Sequence, residues 1–197
     1  MSSLTLLDYG VGNLHSLIKA LERAGAKVEV VADARRLLKS RAIVLPGVGG
    51  FAAGRRAIRS VRRDLKKKLD DGTPCLGVCL GMQLLFDSSE EAAGRGIGLL
   101  PGAVRRLEHP RLPHIGWNQV AHRGLGIFAG IPRHTRFYFV HSFAPSACGD
   151  FVAAETSYGR RFASAVCRGP VWGVQFHPEK SSAWGLKLIE NFVRGIG

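Results

Sequence analysis

The segment Gly77-Val78-Cys79-Leu80-Gly81 places a cysteine between two glycines, one two residues before it and one two residues after, where an apolar run meets a helix-like one. That is the spacing of a nucleophile elbow. A strand ends, the nucleophile takes a strained backbone conformation and a helix begins at once, so a Cβ at either flanking position would block the fold-back. The following run, with Met82, Leu84, Leu85 and Phe86 as apolar residues, predicts a helix whose unpaired N–H groups point at Cys79 and favour thiolate over thiol. A buried structural cysteine in a tight turn is the plainer reading of the same residues.

A cysteine nucleophile needs a base, and Val171 to Lys180 supplies a candidate. Residues two apart on extended chain share a side, so His177 and Glu179 can meet, while Pro178 between them marks the end of a strand. A carboxylate so placed holds the imidazole in one tautomer and stabilises its protonated form. A third element, Ile43 to Phe51, runs from an apolar strand into Gly47, Gly49 and Gly50. Such a loop can turn backbone N–H groups toward an oxyanion, though an ordinary strand-to-helix loop has the same composition.

These blocks resemble the class I, triad-type glutamine amidotransferases. Asp8-Tyr9-Gly10-Val11-Gly12-Asn13-Leu14, Pro113-His114-Ile115-Gly116-Trp117-Asn118 and Tyr138-Phe139-Val140-His141-Ser142 narrow the resemblance to the glutaminase subunits of imidazole glycerol phosphate synthases. Cys79-Leu80-Gly81-Met82-Gln83 and Gln175-Phe176-His177-Pro178-Glu179-Lys180-Ser181 are shared more widely in the family. The resemblance implies Cys79, His177 and Glu179 as a triad, with backbone N–H groups near Gly49 and at Leu80 receiving the oxyanion. It also implies Gln83 and Glu91 as glutamine-holding residues, Glu90 adjoining the latter, and a pocket lined by the backbone from Tyr138 through His141 to Ser142. No cofactor and no metal enter this reading. Ammonia in water becomes ammonium and loses its nucleophilic lone pair, so the resemblance implies a β/α-barrel cyclase partner, forming a heterodimer, to receive it. Asn13 and Lys180, on neighbouring strand ends, are the candidate contacts for that barrel; Asn13 as a helix cap and Lys180 as a solvated lysine are the alternatives. Amidotransferases feeding anthranilate or pyridoxal phosphate synthesis are rival readings, against which Met82-Gln83 and the Asp8 to Asn13 block argue.

The elements that must position these groups alternate as in an open doubly wound α/β sheet. Strands are predicted over 4–8, 28–32 and 42–45, helices over 14–25 and 183–192, and a basic helix over 55–69 with Ile58, Val61, Leu65 and Leu69 as its buried stripe. Beyond Gly94, prolines and glycines punctuate short strands such as 136–140 and 163–167, so a mostly parallel, flavodoxin-like sheet gains a partly antiparallel section. One domain over 1–197 is expected, since 197 residues that are 46% hydrophobic suffice for one core. Asp8 soon follows the first short apolar run and no run is long enough to span a bilayer, so a cytoplasmic, membrane-free protein is expected. Cys75, Cys79, Cys148 and Cys167 read as free thiols. The formal charge of +13 raises the question of nucleic acid, but the basic helix holds no interleaved aromatics and reads as a solvated face. Nucleic acid is therefore not the expected partner.

Overall fold

The computed structural model describes residues 2–146 and 148–196. From the N-terminus, β1 (Ser2–Leu7), α1 (His15–Arg23), β2 (Ala26–Val31) and β3 (Ile43–Leu45) lead to α2 (Phe51–Ile58), α3 (Arg62–Asp70), β4 (Cys75–Val78) and the one-turn helix α4 (Leu80–Gln83). The middle of the chain is rich in strands: β5 (Phe86–Ser89), β6 (Ala92–Arg95), β7 (Leu100–Arg106), β8 (His114–Gln119), β9 (Ala121–His122), β10 (Arg136–His141) and β11 (Phe143–Pro145). Then come β12 (Val152–Tyr158), β13 (Arg160–Arg168), β14 (Val171–Val174) and α5 (Ser182–Gly195).

The main sheet has the order β2-β1-β3-β4-β14-β13-β12-β9. Its first five strands are parallel, and β13, β12 and β9 continue it antiparallel. An antiparallel ribbon, β10-β8, and a mixed sheet, β11-β7-β5-β6, make up the added section. Alternation along the parallel strands divides the core. Leu6, Val44, Leu76 and Val78 face α1 and α5 with Leu17, Leu21, Leu188 and Phe192, while Leu7, Ile43, Leu45 and Cys75 face α2 and α3 with Phe51, Ile58, Leu65 and Leu69. The central strand β4 is therefore buried on both faces and reads as an unbroken apolar run. Among the described residues no helix is long and apolar enough to cross a membrane.

Three local expectations are corrected. The helix after the elbow stops at Gln83 and Phe86 opens a strand, because the carbonyls of Leu84 and Leu85 accept bonds from Ile97, Leu99 and Leu100 instead of continuing a helix. The basic stretch is two helices broken around Arg59 to Val61, although Ile58, Val61, Leu65 and Leu69 are all buried as their spacing required. His177 keeps an extended backbone, but Glu179 does not lie on extended chain with it. β14 ends at Val174, and Pro178–Lys180 form a 3₁₀ turn, which Pro178 enters without forfeiting a backbone bond.

Candidate active site

Cys79 sits at the carboxyl end of β4 with φ 47° and ψ −103°, a conformation rare for a side-chain-bearing residue. The surroundings impose it. The Cys79 N–H is held by Val174 O at 2.7 Å, and Cys79 O receives Gln83 N–H at 3.1 Å to start α4. A methyl group on Gly77 would lie 2.7 Å from the Gly81 carbonyl carbon, and one on Gly81 would overlap the Leu45 carbonyl, so neither flanking position admits a larger residue.

His177 follows β14, the strand hydrogen-bonded to β4 in the register Val174 to Val78, so both groups stand at the carboxyl ends of neighbouring strands. Its N–H donates to Tyr138 O at 2.8 Å, and its carbonyl accepts from Ser181 Oγ at 2.6 Å, which fixes the main chain. Its Nδ1 lies 2.8 Å from Glu179 Oε1, with both side chains nearly sealed from solvent at 5% and 7% exposure. Burial by itself pushes the imidazole pKa down; hydrogen bonds to the Cys79 and Glu179 side chains and their negative charges outweigh it and raise it to about 10. A protonated His177 between a sulfur and a carboxylate is the state this arrangement favours.

Of the loop after β3, Gly47 packs against both groups: a methyl there would be 2.9 Å from Cys79 Cβ and 2.9 Å from His177 Cε1. Gly49, two residues on, has its Cα facing Val11 Cγ2 and Ala53. Leu80 opens α4 beside the sulfur. Glu91 Oε2 accepts the Phe51 N–H at 3.0 Å and so ties down the end of this loop and the start of α2, whereas Glu90 turns away to Arg106 N–H at 2.9 Å. Gln83, 4% exposed, spends its two amide protons on Phe143 O at 2.9 Å and Gln175 Oε1 at 3.2 Å.

Strand β10 runs past the nucleophile, with Val140 O 3.9 Å from Cys79 Sγ. The Tyr138 ring packs edge-on against Trp117, which is 49% exposed, while its carbonyl accepts the His177 N–H. His141 is engaged elsewhere too. Phe143 O can only accept, so His141 Nδ1 donates to it at 2.9 Å; His141 Nε2 then accepts from His114 Nδ1 at 3.1 Å, and His114 Nε2 from Asn118 Nδ2 at 3.2 Å. Ser142 O takes the Leu107 N–H at 2.9 Å. Asn13 and Lys180 are exposed on the rim, and Asn13 Oδ1 accepts the His15 N–H at 2.8 Å.

Burial holds His114 down to about 4 and His141 to about 3, with neighbouring imidazoles adding to the effect. Unfolded histidines titrate near 6.5, so each contributes stability that is complete above that pH and is lost as pH falls toward the folded value. Chemical denaturation between pH 7 and 5 should show stability falling by up to about 1.4 kcal/mol per pH unit for each of the two groups. A wild-type slope equal to that of a His114→Gln, His141→Gln double variant would contradict this.

A cysteine held on an elbow, an imidazole and a carboxylate, gathered at the carboxyl edge of an open α/β sheet, define the class of triad-bearing amide-processing proteins. The chain belongs to the glutamine amidotransferase class-I family, whose model matches residues 5–196. It is 43% identical over 196 residues to the imidazole glycerol phosphate synthase subunit HisH of Herpetosiphon aurantiacus, covering 96% of this chain and 93% of that one. It is 44% identical over 199 residues to the HisH subunit of Moorella thermoacetica, covering 98% and 94%. The fold matches that of PurLQS from Thermotoga maritima with a TM-score of 0.78 at 20% identity, over 100% of this chain and 99% of that chain.

Proposed function

We propose that this chain is the glutaminase subunit of an imidazole glycerol phosphate synthase acting in the cytoplasm in histidine biosynthesis. The observation that carries the reading is the Cys79 elbow set against the His177–Glu179 pair, in a chain whose full-length relatives are subunits of that synthase. Cys79 attacks the side-chain amide carbon of glutamine, and the charge on the carbonyl oxygen is received by backbone N–H groups of the loop after Pro46 and of Leu80. His177 gives its proton to the departing ammonia. It then takes a proton from the water that hydrolyses the thioester, releasing glutamate and returning the sulfur, while Glu179 holds the ring. Gln83 and Glu91 shape the glutamine pocket, and the β10 backbone from Tyr138 to Ser142 forms its wall.

The ammonia passes to a β/α-barrel cyclase, which binds this chain as a heterodimer. Val11, Ile115 and Trp117 support that docking: they are large apolar residues left 39%, 60% and 49% exposed, with the last two on alternate positions of the ribbon beside the nucleophile. Asn13 and Lys180 stand on the same rim as polar contacts. To test the reading, the chain is mixed with cyclase subunits and glutamine is supplied as the only nitrogen source. Formation of the imidazole product by a stable one-to-one pair is expected; glutamine-dependent product only with an anthranilate or pyridoxal phosphate synthase partner would overturn it.

A further inference from the structure

We propose that Gln175 is a further catalytic residue, whose side-chain amide donates a hydrogen bond to the thiolate of Cys79 in an orientation fixed by Gln83. The proposal rests on the reading of Cys79 as nucleophile. Gln175 is completely buried, and its Nε2 lies 3.5 Å from Cys79 Sγ. Which end of an amide faces a neighbour is settled by the network around it. Phe143 O has only lone pairs, so the group of Gln83 that lies 2.9 Å from it is the NH₂. That same NH₂ lies 3.2 Å from the Gln175 amide, which must therefore present its oxygen to Gln83 and its own NH₂ to the sulfur. A buried amide committed in this way cannot flip without leaving an unpaired donor or acceptor.

The sulfur then has a different partner in each charge state. As a thiol, its S–H can reach toward Val140 O at 3.9 Å; as a thiolate it has no proton to give and accepts from Gln175. His177 carries the counter-charge, and Gln175 supplies a donor that does not titrate. The bond is strong while the sulfur is charged and weak while it is acylated. Gln175 therefore promotes both formation of the thiolate and its departure when water breaks the thioester. The fold does not need this side chain for the main chain, because the Gln175 N–H is separately held by Ser164 O at 2.9 Å.

The test uses Gln175→Met, which keeps the volume and removes the donor, and Gln175→Glu, which keeps the shape and places a carboxylate beside the sulfur. Alkylation of the full chain by iodoacetamide is followed against pH by peptide mapping of Cys79 alone. We expect the midpoint to rise by about one pH unit in the methionine variant and further in the glutamate variant. With the cyclase partner present, kcat should fall about tenfold or more while KM stays within about twofold. Wild-type midpoints in folded variants, judged by unchanged melting, would overturn the proposal; should the methionine variant fail to fold, the glutamate variant decides. If an electrophilic glutamine analogue does not label wild-type Cys79, the nucleophile reading itself fails, whereas labelling with an unmoved midpoint removes Gln175 alone.

Discussion

Cys79→Ala should abolish glutamine hydrolysis, and an electrophilic glutamine analogue should label Cys79 and no other cysteine of the wild type. The expected loss is on the order of 10⁵-fold or more, the scale seen when a nucleophile is removed from a coupled triad. The competing thiols differ in ways that make the outcome informative. Cys75 is buried against the core, and burial pushes its thiol, like that of Cys167, further from ionisation, while Cys148 is exposed. Labelling at Cys148 with hydrolysis intact would contradict the assignment. His177→Ala should cost nearly as much as losing the sulfur, and Glu179→Gln about a hundredfold less, because the acid orients and stabilises a base that Tyr138 and Ser181 also hold through its main chain.

The isolated chain should be a poor glutaminase, stimulated on the order of 10²- to 10³-fold by the cyclase with its ligand bound, the range a correctly placed oxyanion donor supplies. The loop that would respond is in direct contact with the rim. Gly49 holds φ at +80°, and a methyl there would lie 2.5 Å from Val11 Cγ2, while one on Gly12 would lie 2.6 Å from Val48 Cβ. A partner that shifts the 10–13 turn must therefore shift the loop, and a peptide flanked by glycines can turn over at small cost. Hydrolysis is measured alone, with partner, and with partner plus ligand, for the wild type, Asn13→Ala and Lys180→Ala. Full activity without partner would refute gating. Because Asn13 Oδ1 also accepts the His15 N–H, Asn13→Ala should cost about 0.5–1 kcal/mol of stability in any case, so the residual stimulation is the deciding quantity.

The elbow was legible because its glycines answer a steric demand visible in spacing alone, and the overlap awaiting a methyl on Gly81 shows how strict that demand is. The parallel strands were legible for a similar reason, since only strands covered on both faces can be apolar throughout. Leu84 to Phe86 misled because a segment buried on every side has no period to reveal its geometry. Their backbone went to distant partners at 97–100, a tertiary choice no local pattern encodes. Gln175 was hidden between Val174 and Phe176 as one more strand residue. The signal was nonetheless there: the period-two argument that joined His177 to Glu179 would have put Gln175 on the same side. Nor could spacing show that Glu91, and not its neighbour Glu90, meets the start of α2.

Cys79 and His177 are far apart along the chain, yet Cys79 directly follows β4, and His177 follows, after Gln175 and Phe176, the hydrogen-bonded neighbouring strand β14. The strands that carry them stand at the interval between adjacent strands, about 4.8 Å, which every sheet repeats regardless of sequence. The ribbon carrying Ile115 and Trp117 is tied into that frame, because Tyr138 O of β10 holds the His177 N–H, so a change on its outer face leaves the reactive pair in place as long as that bond is kept.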